Sequence, residues 1–227
     1  MKKRIAFLGS ILSFIPLGQP LLIQTGVFLS TTGLILTIPE NVNAESSSFY
    51  FKRGKDLADF GDYEGAINAL NKEIEINPKN EDAYFYRAFY KGELEDYYGA
   101  ISDYNKLIRI NPNDGNTFFN RAWNKDKIGD DEGAISDYNK AIEINPNDSR
   151  AYYNRALSKS ALDDIYGAIS DYNKAIKIDP NYWSAYYNRA NRKIKLKDYE
   201  GGIADYSKAI EINPKKFDAY INRGNAK

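Results

Sequence analysis

The chain has 227 residues, enough for one or two ordinary domains, and its 31 Lys and Arg balance 31 Asp and Glu, which excludes recognition of a partner through net charge. It contains no cysteine and no histidine, which removes disulfides, thiolate nucleophiles, imidazole bases and the two commonest zinc ligands. Taking Lys2, Lys3, Arg4 and Glu40 away leaves 28 basic and 30 acidic residues after residue 44, so phosphate neutralisation gets no support and no nucleic acid partner is expected.

The N-terminal segment comes first. Met1-Lys2-Lys3-Arg4 precedes an uncharged stretch from Ile5 to Pro39 that contains two apolar runs, Ile5–Pro16 and Leu21–Ile38. Val42-Asn43-Ala44 follows, placing small residues one and three positions ahead of Glu45. That order predicts a secretory signal peptide over residues 1–44. The competing reading is an uncleaved membrane anchor within residues 5–39, because signals usually run to about 30 residues and the second run nearly suffices to cross about 30 Å of hydrocarbon. Either way the basic end stays inside. The remainder is then expected in a periplasm, lumen or extracellular space, or on the outer side of a membrane.

From residue 47 the chain repeats itself. Pro78, Pro112, Pro146, Pro180 and Pro214 are each 34 residues apart, and an Ile-Asn or Ile-Asp step precedes every one. Gly-Ala-Ile recurs at Gly65, Gly99, Gly133 and Gly167, and becomes Gly201-Gly202-Ile203 in the fifth copy. Such a period signals a solenoid. Each copy predicts two helices, for example Ala151 to Leu162 and Tyr166 to Ile176. In the second of these, Ala168, Ile169, Tyr172, Ala175 and Ile176 form one apolar face. Asp62, Asp96, Asp130, Asp164 and Asp198 stand between the helices, placed to cap the second. The Asn-Pro step ends that helix, since the residue before proline leaves the α region. Neither helix buries its face alone, so successive copies must stack.

Here the chain resembles the tetratricopeptide repeats, whose 34-residue pattern has an aromatic, a small residue, an Ala, an aromatic and a closing Pro. The fourth copy reads Tyr152, Ala156, Ala168, Tyr172, Pro180, and the third Phe118, Ala122, Ala134, Tyr138, Pro146. The resemblance covers repeats 47–80, 81–114, 115–148, 149–182 and 183–216, with a half-repeat over 217–227 expected to cap the array. The cassette wording is similar to repeats abundant in cyanobacteria. The resemblance implies an all-α fold, a right-handed α-α superhelix, preceded by the signal or anchor segment. Two departures stand out: Arg53, Arg87, Arg121, Arg155, Arg189 and Arg223 replace a common Leu, and Lys91, Lys125, Lys159 and Lys193 replace a Tyr. Both are read as changes of surface chemistry.

The resemblance also implies that first helices line a groove where partners lie. The candidate groove residues begin with an aromatic row, Phe51, Phe85, Phe119, Tyr153 and Tyr187. Each sits beside a second aromatic (Tyr50, Tyr84, Phe118, Tyr152, Tyr186), and adjacent residues on a helix point about 100° apart, so one row packs while the other stays partly exposed. Asn120, Asn154 and Asn188, continued by Asn222, form a ladder of amides suited to the backbone of an extended peptide. Inter-repeat hydrogen bonding is their competing role. One turn beyond the aromatic row stand Lys55, Phe89, Trp123, Leu157 and Asn191, and Phe89 with Trp123 suggests an apolar spot in mid-groove.

Arg87, Arg121, Arg155 and Arg189 are read as internal ion pairs with Asp103, Asp137, Asp171 and Asp205, and Lys106, Lys140, Lys174 and Lys208 as a solvated face. An enzyme built on paired carboxylates, such as a glycosidase, is the alternative reading. The aspartates recur in every repeat, which fits a structural job instead. The expectation is therefore a protein or peptide-binding module, a scaffold or assembly factor, with no catalytic residues, cofactor or metal.

Overall fold

A computed structural model describes residues 28–30, 33–35 and 40–226, with side chains from Ser48 onward. The chain forms two compact units, one up to Phe49 and one from Tyr50. In the first, β1 (Phe28–Ser30) pairs antiparallel with β2 (Gly33–Ile35), bringing Leu29 opposite Leu34. The remainder of the expected signal or anchor lies outside the described residues. No helix among the described residues is long and apolar enough to cross a membrane.

The second unit is helical throughout. Helix α1 (Glu40–Asp59), which belongs to this unit from Tyr50 onward, is followed by α2 (Tyr63–Ile76), α3 (Glu81–Glu93), α4 (Tyr97–Ile110) and α5 (Gly115–Lys127). Then come α6 (Asp131–Ile144), α7 (Ser149–Ala161), α8 (Ile165–Ile178), α9 (Trp183–Lys195), α10 (Tyr199–Ile212) and α11 (Phe217–Asn225). From α2 to α11 each helix packs on the next, and helix pairs recur with the period of the sequence. The all-α solenoid expected from the sequence is the observed fold.

Local chemistry sets the boundaries. Asp62, Asp96, Asp130, Asp164 and Asp198 cap the second helices, each accepting from the amide of a glycine three residues on at 2.8–3.0 Å. A Cβ at Gly99 would collide with the Asp96 carboxylate, which explains the glycine opening each Gly-Ala-Ile cassette. Between the paired helices one residue enters the left-handed region, with φ of 62° at Glu95 and Asp163, 63° at Lys197, 81° at Gly61 and 78° at Gly129. Asn77, Asn111, Asn145, Asp179 and Asn213 end the second helices just ahead of the prolines. Asn80, Asp114 and Asp148 cap first helices, a role the sequence reading did not assign.

The core is a ladder of small and aromatic residues. Ala66, Ala100, Ala134 and Ala168 are fully buried, and Tyr104, Tyr138, Tyr172 and Tyr206 fill the space beside them. In the fifth repeat the alanine becomes Gly202, because Ile194 from the paired helix occupies the room a Cβ would need.

Two expectations are corrected. The lysines replacing Tyr are part of the interior network: Lys91, Lys125, Lys159 and Lys193 reach Asp103, Asp137, Asp171 and Asp205 at 2.8–2.9 Å. At the C-terminal end, Phe217, Tyr220 and Ile221 do not cover α10. They are exposed, and α11 seats through Ala219 instead. Tyr220 corresponds to Tyr84 and Phe118, which pack only where a second helix follows in the same repeat.

Candidate functional site

Four copies of one ion-pair network run along the stack. Arg87, Arg121, Arg155 and Arg189 each grip the aspartate of their own repeat through Nε and Nη2, a two-pronged contact of 2.5–2.9 Å. Nη1 of the same guanidinium donates backward to Asn71, Asn105, Asn139 or Asn173 in the preceding repeat at 2.5–2.7 Å. Each arginine thus staples two repeats. The recurring aspartates are held by an Arg and a Lys apiece and are buried, which fits the structural job expected of them.

The aromatic row on the first helices is half-buried, and its rings lean on the tyrosines of the second helices. Phe85 meets Tyr104, Phe119 meets Tyr138, Tyr153 meets Tyr172 and Tyr187 meets Tyr206, with centroids 5.7–6.2 Å apart. Phe51, at the start of the array, lies edge-on to Tyr86, and the Lys55 ammonium stands over both rings. These rings pack the solenoid and line its first-helix face at once.

The amides do not form a uniform ladder. Asn188 donates to the Tyr153 hydroxyl at 2.9 Å, and Asn222 does the same to Tyr187. Asn154 has Phe119 where those have a tyrosine, and it donates to the Arg150 carbonyl of its own helix at 2.9 Å. Asn120 has Phe85 at that place, and its side chain makes no hydrogen bond among the described residues. Only this amide of the series is unspent there.

Asn120 stands at the rim of a cavity of about 170 Å³ between the second and third repeats. Phe89, Phe119 and Trp123 form its walls, with Tyr104 behind them. Phe89 is 46% exposed, and Lys127 lies over the Trp123 ring at 4.8 Å. The structure therefore brings Phe89, Phe119, Asn120 and Trp123 together, and leaves Phe51, Phe85, Tyr153, Asn154, Tyr187 and Asn188 along the same face but outside this cavity.

The cavity exists because of Gly92, which the sequence reading passed over. The equivalent positions hold Ala58, Asp126, Ser160 and Ile194. Asp126 occupies its counterpart of the cavity, accepting from Tyr138 at 2.8 Å and from Ser158 at 2.7 Å. Burial pushes its carboxyl above the usual range, against those two hydrogen bonds. At Gly92 no side chain fills the space. Burial likewise raises the Tyr104 hydroxyl, which lines the cavity. Variation at one register position against a constant background is the signal that marks this place.

Beside Gly92 sits Asn124, 3% exposed. Its Nδ2 donates to the Asn120 carbonyl at 2.8 Å, which fixes the orientation of the amide. Oδ1 then lies 3.3 Å from where a Cβ at Gly92 would stand, is sealed from solvent and meets no donor among the described residues.

The comparisons with known proteins agree with this architecture. Family models described as TPR repeat match residues 127–163 and 190–227, and models described as tetratricopeptide repeat match 149–182 and 82–114, together more than half of the chain. No curated protein matches. Among solved structures, the chain is similar to MamA, at 22% identity with a TM-score of 0.71, covering 76% of this chain and 94% of that one. MamA from Desulfovibrio magneticus RS-1 matches at 17% identity and a TM-score of 0.72, covering 76% of this chain and 98% of that one. YrrB, a TPR protein described as having an unusual peptide-binding site, matches at 21% identity and 0.69, covering 81% and 95%. Repeat period, helix pairing and sequence models converge: the chain belongs to the tetratricopeptide repeat family.

Proposed function

We propose that this protein is a scaffold or assembly factor that holds a protein or peptide partner along the face built by its first helices. One observation carries this reading: in mid-array Phe89, Phe119 and Trp123 meet around a cavity with the unspent Asn120 amide at its rim. Aromatic side chains around a partly desolvated pocket are the usual anchors of protein recognition. YrrB, a protein of similar fold described as having an unusual peptide-binding site, supports peptide binding by this architecture. The module works by binding rather than by catalysis, because its recurring carboxylates are occupied in stapling repeats.

A photo-crosslinking residue placed at Trp123 should capture a polypeptide in the native cell, whereas one at the exposed Lys106 should not. Equal capture at both sites, or none at Trp123, would overturn the reading. Residues 5–39 further support export or membrane anchoring, with the repeats on the outer side. Mass spectrometry of the native protein should find an N-terminus at Glu45 or the intact chain in membranes. Full-length soluble protein in the cytoplasm would defeat both forms.

A further inference from the structure

The first repeat departs from the ion-pair network of the next four in a consistent way. Asp103, Asp137, Asp171 and Asp205 stand 16 residues after their arginines, and the first copy has Ala69 at that place. Lys91, Lys125, Lys159 and Lys193 give those aspartates a second cation, and the first copy has Leu57 there. The aspartate and its lysine are gone together, yet Arg53 is kept. The helices still approach closely, since a Cβ at Gly54 would meet Leu70 and the Ala66 carbonyl at 3.0–3.3 Å. The repeats begin at residue 47, so no earlier copy supplies the asparagine that takes Nη1 from Arg87. The Arg53 guanidinium is exposed and meets no acceptor among the described residues.

An open pocket of about 250 Å³ lies at this place, lined by Arg53 and Leu57 from α1 and by Ala69 and Lys72 from α2. Lys72 stands over the Tyr50 ring at 5.4 Å, at the edge of the same pocket. Asp62 also lines it, but its carboxylate accepts from the Gly65 amide at 2.8 Å as the cap of α2. Two cations against one engaged carboxylate favour a negative guest. Each of the next four forks holds a planar carboxylate through two donors, Nε and Nη2, and Ala69 leaves that carboxylate out. Asp62 opposes a second negative charge, which disfavours a phosphate dianion. Because Arg53 reaches solvent, an incoming carboxylate reaches Arg53.

We propose that Arg53 takes its carboxylate from outside the array, from an Asp or Glu side chain of a partner polypeptide. The guest would be held as Asp103 is held by Arg87, by the same two donors. This pocket shares no residue with the mid-array cavity. It rests on the proposed partner-binding role only for the source of the carboxylate.

The test uses the full chain and blocked pentapeptides Ala-Ala-X-Ala-Ala, with X as Asp, Glu, Gln, phosphoserine or Ala, followed by NMR of the arginine Nε–H signals. The Asp and Glu peptides should shift the Arg53 signal with dissociation constants on the order of 10 mM at low salt. They should bind roughly threefold to tenfold more tightly than the Gln peptide, and added salt should weaken them. The Arg87 signal should stay in place, because Asp103 already fills that fork. Arg53→Gln changes an exposed side chain and should abolish the preference for Glu over Gln. Ala69→Asp restores the residue used by the next four repeats, so it should fold, engage Arg53 from within and abolish binding as well.

Equal binding of the Glu and Gln peptides, tightest binding of the phosphoserine peptide, or an Arg53 signal unmoved by every peptide would overturn the assignment. Undiminished binding to the Ala69→Asp protein would overturn it too. Each of these leaves the mid-array partner site standing. That role fails separately, if crosslinking at Trp123 captures no polypeptide, while the titration at Arg53 is read without it.

Discussion

At the scale of single residues, one register position takes five different residues across the repeats, Ala58, Gly92, Asp126, Ser160 and Ile194. Asp126 has the clearest consequence. Burial raises its carboxyl above the ordinary value despite hydrogen bonds from Ser158 and Tyr138. The folded chain therefore holds this proton more tightly than the unfolded chain. Asp126 contributes stability that is complete below its unfolded value and is lost as pH rises through the raised folded value. Asp126→Asn removes that dependence. Urea melts of both proteins between about pH 4 and about pH 7 should show the native chain losing ground to the variant as pH rises. The reverse trend would mean that the hydrogen bonds outweigh burial.

At the scale of the helix pair, two interactions repeat and carry different weights. Asp137 is buried between Arg121 and Lys125, so Asp137→Ala leaves two cations facing each other with little solvent. A loss of roughly 2–3 kcal/mol is expected in denaturant melts, short of a fully buried pair because both cations keep some exposure. Glu143→Ala breaks the Lys140 pair on the outer face of α6, where both side chains are more than half exposed. It should cost less than about 1 kcal/mol. Equal losses would show that the staple adds nothing beyond a surface contact. Ala134 has no exposed surface where α5 and α6 meet. Leucine there has to push the helices apart, and Ala134→Leu should destabilise by roughly 1–3 kcal/mol. An unchanged melt would contradict the close approach of the two helices.

At the scale of the whole array, each repeat rests on its neighbours, so the ends bear on the stability of everything between. Helix α11 buries Ala219 against the fifth repeat, donates from Asn222 to Tyr187 at 2.9 Å and from Arg223 to Ser207 at 3.2 Å. Removing residues 217–227 should uncover Tyr206 and Ile210, which are 3% and 8% exposed. The shortened protein should lose several degrees of melting temperature and begin to self-associate. An unchanged, monodisperse product would show that Ala219 and two hydrogen bonds contribute nothing to the fifth repeat.

The sequence by itself determined the repeat, its two helices, the caps of the second helices and the alanines at the crossings, because each depends on residues within one 34-residue copy. The pairing of Arg121 with Asp137 was legible for the same reason, being a contact 16 residues long that recurs unchanged. The candidate face was legible too, but not which of its members are spent. Asn188 is tied down and Asn120 is not because the residue 35 places earlier is Tyr153 in one case and Phe85 in the other. Only the stacked helices bring those side chains together. The cavity is the same kind of fact. Gly92 looks like an ordinary small residue in the chain, and it lines a cavity only where Tyr104, Trp123 and Asn124 come together beside it, at a position that other repeats give to Ala58, Asp126, Ser160 or Ile194. Helix periodicity is written locally, whereas packing volume and unspent hydrogen bonds belong to contacts between repeats, and those the tertiary structure alone decided.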